Sequence, residues 1–143
     1  MILFFDTSAL FKLYHKEEGT EELMTFFKSN YIDAIYLAEI TAIEFCSAVW
    51  KKCRKREINE EIALTIIEKF NKDSTNYRFI AENDELRKLA KNLIGKYWQK
   101  GLRTLDSVQL ASVITIKPTV DFFFTSDIIL LEIAKMEGLT VKN

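Results

Sequence analysis

Four acidic residues stand where short apolar runs give way to helical patterns. Asp6 ends the run Ile2–Phe5 and is followed by Thr7 and Ser8. Glu44 lies in the first turn after Thr41, and Asp106 in the first turn after Thr104. Asp127 follows Thr125 and Ser126 behind the run Phe122–Phe124. Brought together, such carboxylates repel and cannot all stay ionised without a cation between them. An oxygen-only donor set without His or Cys selects a hard ion, Mg²⁺ or Mn²⁺. Ser8 and Ser126 stand beside two of the acids as donors that could orient ligand oxygens or waters. Each of these residues also has a plain structural reading. Thr41-Ala-Ile-Glu44 has the form of a capping box, Asp106 and Asp127 suit the first turn of a helix, and Asp6, Ser8 and Ser126 suit N-caps.

The elements that must position these acids are legible as an alternation. Apolar runs at Ile2–Phe5, Ile35–Leu37, Tyr77–Ile80, Val120–Phe124 and Leu139–Val141 read as strands. Between them, helical spacing recurs around Leu10–Tyr14, after Gly19, from Thr41, over Glu60–Phe70, from Asp84 to Trp98 and from Thr104 to Ile116. A last helix through Ile129, Leu130 and Ile133 ends at Gly138, a residue suited to the position after a helix. Strands that lack polar alternation are buried on both faces, so the pattern predicts an α/β sandwich around a parallel sheet. In such a sheet ligands bind beyond the carboxyl ends of the strands, where all four acids fall.

At 143 residues the chain has the length of one domain, with no linker, repeat or low-complexity stretch, and we expect a single domain over 1–143. The four glycines, at 19, 95, 101 and 138, are isolated, which excludes the Gly-rich phosphate loops of dinucleotide-binding and P-loop proteins. Twenty Lys and Arg against 21 Asp and Glu give a net charge of −1, so nothing global recruits nucleic acid or an anionic membrane. Cys46 and Cys53 have no ligand companions and read as two buried, reduced thiols. No window approaches a membrane span, and the N-terminal apolar run stops at Asp6 with no basic segment before it. The expected compartment is the cytoplasm.

Taken in order, Asp6-Thr7-Ser8 after a first strand, Glu44, the block Arg103-Thr-Leu-Asp106-Ser-Val-Gln-Leu-Ala111 and the block Phe124-Thr-Ser-Asp127 resemble the PIN-domain ribonucleases. The closest likeness is to the small VapC-type toxins of toxin–antitoxin pairs, and it covers nearly the whole chain. The resemblance implies a five-stranded parallel sheet of order 3-2-1-4-5 with helices on both faces. It implies an Mg²⁺- or Mn²⁺-dependent endoribonuclease, with one or two ions, acting at Asp6, Glu44, Asp106 and Asp127. It also implies a cognate antitoxin protein and a homodimer. A carboxylate-held ion activates water for phosphodiester hydrolysis, so no side-chain nucleophile is needed.

The near-neutral charge leaves RNA contact to a local surface. The one concentrated basic run is Lys51, Lys52, Arg54, Lys55 and Arg56, which continues the helix carrying Glu44. A solvated helix face is its alternative reading. His15 reads as exposed or capping, and Trp50, Tyr97 and Trp98 as core or interface. Phe11, Tyr14, Met24 and Tyr31 form a candidate apolar strip for an amphipathic partner segment, or else are buried within one protomer. A haloacid-dehalogenase-type phosphatase needs a second Asp where Ser8 stands. A receiver domain needs an acceptor Asp at the end of Tyr77–Ile80, which offers none. The alternative that remains is a PIN-like scaffold that binds RNA or protein without cutting.

Overall fold

A computed structural model describes all 143 residues. Strand β1 (Ile2–Phe5) leads into the single turn of α1 (Thr7–Phe11), followed by α2 (Thr20–Ser29) and β2 (Ala34–Ala38). Then come α3 (Thr41–Arg54), α4 (Glu60–Asp73), β3 (Arg78–Ile80), α5 (Asp84–Lys96) and α6 (Thr104–Thr115). The chain closes with β4 (Phe122–Phe124), α7 (Ile128–Met136) and β5 (Val141–Lys142). All neighbouring strands run parallel, in the order β3-β2-β1-β4-β5. The expected fold class, order and helix-covered faces are all present.

Because alternate side chains of a strand point to opposite faces, β1 feeds two cores. Leu3 and Phe5 pack with Leu37, Phe45, Phe70 and Phe124 beneath α1–α4, while Phe4 and Phe123 pack with Leu86, Leu110, Leu130 and Ile133 beneath α5–α7. Phe5 and Phe124 stack across the β1–β4 pair with centroids 4.6 Å apart. That contact fixes the two strands whose ends carry Asp6 and Asp127.

Several expectations move on contact with tertiary structure. The last two strands start later than the apolar pattern. Asp121 already accepts the Ile2 N–H on its carboxylate at 2.6 Å, so β4 begins only at Phe122. Leu139 turns into the core, its N–H on the Ala134 carbonyl, and β5 begins at Val141. Gly138 does end the preceding helix, with φ +75°. Cys46 and Cys53 are free thiols but half-buried, because they sit at the edge of the face α3 presents to the core. Trp50 and Trp98 are exposed, and only Tyr97 of that trio is buried.

Candidate active site

Asp6 is placed by the end of β1. Its backbone N–H still bonds the Phe124 carbonyl at 3.0 Å, and its carboxylate caps α1 by accepting the Ala9 N–H at 2.8 Å. The same carboxylate accepts the Ser8 hydroxyl at 2.8 and 2.9 Å and the Thr125 hydroxyl at 2.6 Å. All these donors are neutral, no ion pair reaches the group, and it is 4% exposed. Burial therefore dominates and, against those hydrogen bonds and with help from the charge of Asp106, pushes the carboxyl up to about 6.

The β4–α7 junction is cross-tied to the β1–α1 junction. Thr125 Oγ1 donates to Asp6 and accepts the Asp127 N–H at 3.1 Å, and Ser8 Oγ accepts the Ser126 N–H at 3.0 Å. Asp127 caps α7 through Oδ1, which takes the Leu130 N–H at 2.8 Å. The Ser126 hydroxyl is buried without a partner. It is one of two such atoms in the molecule, both in this region.

Glu44 does not close a capping box. Ile40 occupies the cap of α3 and makes no side-chain bond. Glu44 Oε2 instead accepts the Thr7 hydroxyl at 2.7 Å and the Gln109 amide at 2.6 Å, which turns the side chain toward α1 and α6. Asp106 lies in the first turn of α6, where burial raises its carboxyl while Arg103 works the other way. The Arg103 guanidinium spans two acids, with Nε on Asp106 at 2.8 Å and Nη2 on Asp127 at 2.9 Å. Asp106 first, then Asp127 and Glu44, hold that guanidinium above its ordinary value. As the side chains stand, no three acids form a group able to grip one ion. Arg103 bridges the pair a cation would need.

Asp6, Glu44, Asp106 and Asp127 nevertheless line one open cleft of about 1230 Å³, together with Ser8 and Ser126. Lys51, Lys52 and Lys55 line it too, whereas Arg54 and Arg56 do not. Lys52 is held by Glu17 at 2.8 Å and Glu57 at 3.0 Å, while Lys51 and Lys55 have no ion pair. His15 is half-buried with its ring edge on Phe11. The apolar strip divides: Phe11 is in the core, Tyr14 is half-buried with its hydroxyl 2.6 Å from that of Tyr77, and Met24 and Tyr31 are exposed.

Four residues of this site received no role from the sequence: Thr7, Arg103, Gln109 and Thr125. Two of them carried a signal. Arg103, Asp106 and Gln109 recur every third residue, which sets long polar side chains along one side of a helix otherwise made of apolar, Ser and Thr residues.

A doubly cross-tied strand edge lined by acids, on a sheet of order 3-2-1-4-5, is a PIN-type arrangement, and the PIN-domain family profile matches residues 3–136. The chain belongs to the PIN-domain family. Solved structures similar to it include VapC20 of Mycobacterium tuberculosis, described as a sarcin–ricin loop cleaving toxin (14% identity, TM-score 0.69, 96% of each chain). FitAcB of Neisseria gonorrhoeae matches with 15% identity and TM-score 0.70, over 100% of this chain and 97% of that one. VapBC2 of Rickettsia felis, bound to a DNA fragment from its promoter, matches with 16% identity and TM-score 0.66, over 100% and 98%. No curated protein matches the chain in sequence. No helix is long and apolar enough to cross a membrane.

Proposed function

We propose that this PIN-domain protein is an Mg²⁺- or Mn²⁺-dependent endoribonuclease and the toxin of a VapBC-type pair. The observation that carries the reading is Asp6, a buried carboxylate with only neutral donors, in a cleft shared with Glu44, Asp106 and Asp127. The donor set is hard oxygen throughout, and a buried serine hydroxyl there lacks a partner, so the residues fit a hydrated divalent cation. Asp6, Glu44, Asp106 and Asp127 would hold it. When bound, such an ion supplies an acidified water and charge stabilisation for phosphodiester hydrolysis.

The chain's own residues prepare that chemistry. Ser8 and Thr125 fix the Asp6 carboxylate by donating to both its oxygens. Arg103 must release Asp106 and Asp127 for a cation to enter, and its guanidinium is then free to meet a phosphate. Lys51 and Lys55, unpaired at the cleft wall, would neutralise flanking phosphates of an RNA strand. An antitoxin could silence the site by presenting a guanidinium to the same acids, with Met24 and Tyr31 available as apolar contacts for its amphipathic segment. We include a homodimer in this reading on the family likeness, and sedimentation of the purified protein tests it.

The deciding experiment incubates purified protein with a structured RNA in Mn²⁺ or in EDTA. Cleavage that requires Mn²⁺ and is lost in Asp106→Asn supports the nuclease. RNA that is bound but stays intact under all conditions would instead make the chain a non-cutting scaffold.

A further inference from the structure

One residue on the polar stripe of α6 is explained neither by capping nor by core packing. Gln109 is 2% exposed and lies three residues beyond Asp106, on the same side of the helix. Its amide nitrogen is 2.6 Å from Glu44 Oε2, 2.9 Å from Thr41 Oγ1 and 3.2 Å from Thr7 Oγ1. An amide has two N–H protons, so the two shorter contacts take them. Thr7 adds its own hydroxyl proton to the same Glu44 oxygen. Every hydrogen bond that Glu44 accepts through its side chain falls on Oε2, and Oε1 accepts none.

The amide oxygen of Gln109 is buried and has no partner. Turning the amide over would set that oxygen against the Glu44 carboxylate, acceptor against acceptor. The observed orientation leaves one group unsatisfied and keeps the donors on Glu44. An unpaired buried acceptor is unfavourable, so the orientation is held by the donors it keeps on Glu44 and Thr41.

We propose that Gln109 is a positioning residue for Glu44. With Thr7 it ties down Oε2 and leaves Oε1 as the oxygen offered to a divalent cation. It does so in register with Asp106 because both ride on α6. The identity of the ligand rests on the nuclease reading above; the geometric role of Gln109 does not.

The test titrates Mn²⁺ into the wild type, Gln109→Met, Glu44→Ala and the double variant, with bound Mn²⁺ read by electron paramagnetic resonance and folding by urea denaturation. Methionine keeps the volume while removing both the donors and the unpaired oxygen. The Gln109→Met variant should fold cooperatively, somewhat less stable because the buried Thr41 hydroxyl loses its partner, yet bind Mn²⁺ roughly tenfold more weakly. Added to Glu44→Ala it should cause no further loss, since the two residues act through one carboxylate. RNA cleavage by Gln109→Met should recover toward the wild-type rate as Mn²⁺ is raised to saturation. Unchanged Mn²⁺ affinity in a folded Gln109→Met variant, or additive losses in the double variant, would overturn the inference. Should the methionine variant not fold, Gln109→Asn decides by the same measurements, being one methylene too short to reach Glu44. A wild type that binds no Mn²⁺ overturns the nuclease reading and this inference together. Wild-type binding that Glu44→Ala destroys and Gln109→Met leaves intact overturns this inference alone.

Discussion

Helix α7 has an acid at each end, and the two ends are built differently. Beyond its last residue, Glu137 takes the Lys96 ammonium at 2.6 Å and the Tyr97 hydroxyl on one carboxylate oxygen, and the Lys117 ammonium at 2.6 Å on its carbonyl. Burial works against the charge there, but the Lys96 and Tyr97 hydrogen bonds outweigh it and draw the carboxyl below its usual range. At its first residue the helix meets the cleft, where Asp6 has only neutral donors and burial raises its carboxyl to about 6. Asp106 is raised as well, although Arg103 touches it. An acid whose charge is matched from within the chain is a finished structural contact. Of the four acids only Asp106 and Asp127 share one mostly exposed arginine, and Asp6 and Glu44 have no ion pair, so the cluster is short of positive charge that a divalent cation would supply.

The largest test of that contrast is Asp6→Asn. Cleavage of RNA in Mn²⁺ should fall at least about 100-fold, while stability moves the other way. A carboxyl raised in the folded state makes the native protein bind more protons than the unfolded chain. Its contribution is fully present below pH 4 and is lost as pH rises through 6, a swing of roughly 3 kcal/mol. The Asn variant lacks this loss. In EDTA its stability should therefore gain on the wild type between pH 4 and pH 7, measured by urea denaturation. Parallel stability curves would mean that Asp6 is no more strained than Glu137.

The cations differ between the two ends as the acids do. Lys96 and Lys117 are committed to Glu137, whereas Lys51 and Lys55 line the cleft without an acid of their own. Replacing Lys51 and Lys55 with Gln should weaken RNA binding several-fold at low salt and flatten the salt dependence by about 1.4 in logarithmic slope, the value for two contacts to a single strand. Lys52→Gln, whose ammonium is held by Glu17 and Glu57, should leave the slope unchanged. Equal effects of all three lysines would show that the ion pairs do not decide which cations meet RNA.

Much of this was readable from the chain, and the unreadable part has a common cause. The apolar runs that end in Asp6 and Asp127 announce strand ends, because a strand buried on both faces must stop where a charge appears. The position of Glu44 and Asp106 in the first turns of their helices then put them at the same sheet edge, and both line the cleft. What no local pattern conveys is pairing across the sequence: Gln109 meets Glu44 at a separation of 65 residues, and Thr125 meets Asp6 at 119. Local pattern also favoured a capping box at Thr41, but Thr41 accepts from Gln109 instead and Glu44 turns inward. The basic run read as one helical surface, yet α3 stops at Arg54 and Lys55 only caps it; Lys51, Lys52 and Lys55 line the cleft, while Arg54 does not and Arg56 lies past the helix with φ +60°.

Arg103 is the one cation shared by the acid cluster, and removing it should bring the cleft into sharper contrast with the Glu137 end. Its side chain is 70% exposed, so its two ion pairs contribute at most about 1 kcal/mol to stability. A cation held by Asp106 and Asp127 would have to compete with it for those carboxylates. Arg103→Gln should therefore raise Mn²⁺ affinity by up to about fivefold, the factor by which the competing contact depletes the open form. Mn²⁺ titration by calorimetry measures this, and weaker binding in the variant would instead make Arg103 part of the ion's own support.

The smallest effect belongs to the far end of α7, and its sign makes it the control for the rest. Glu137→Gln keeps an acceptor for Tyr97 but removes the charge that holds Lys96. The melting temperature should drop by about 2–4 °C at neutral pH. Glu137 has a lowered carboxyl in the folded state, so its contribution is present above the unfolded value near 4.5 and is lost as pH falls through the folded one. The deficit of the Gln variant should thus shrink on acidification below pH 4.5. The Asp6→Asn gain instead grows as pH rises from 4 to 7, so the two variants have separate pH windows. Mn²⁺ affinity and RNA cleavage should be untouched in Glu137→Gln, because its partners Lys96, Tyr97 and Lys117 lie outside the cleft. A Glu137→Gln variant that lost Mn²⁺ binding would show that the two ends of α7 are coupled, and that the matched acid helps to set the geometry of the unmatched ones.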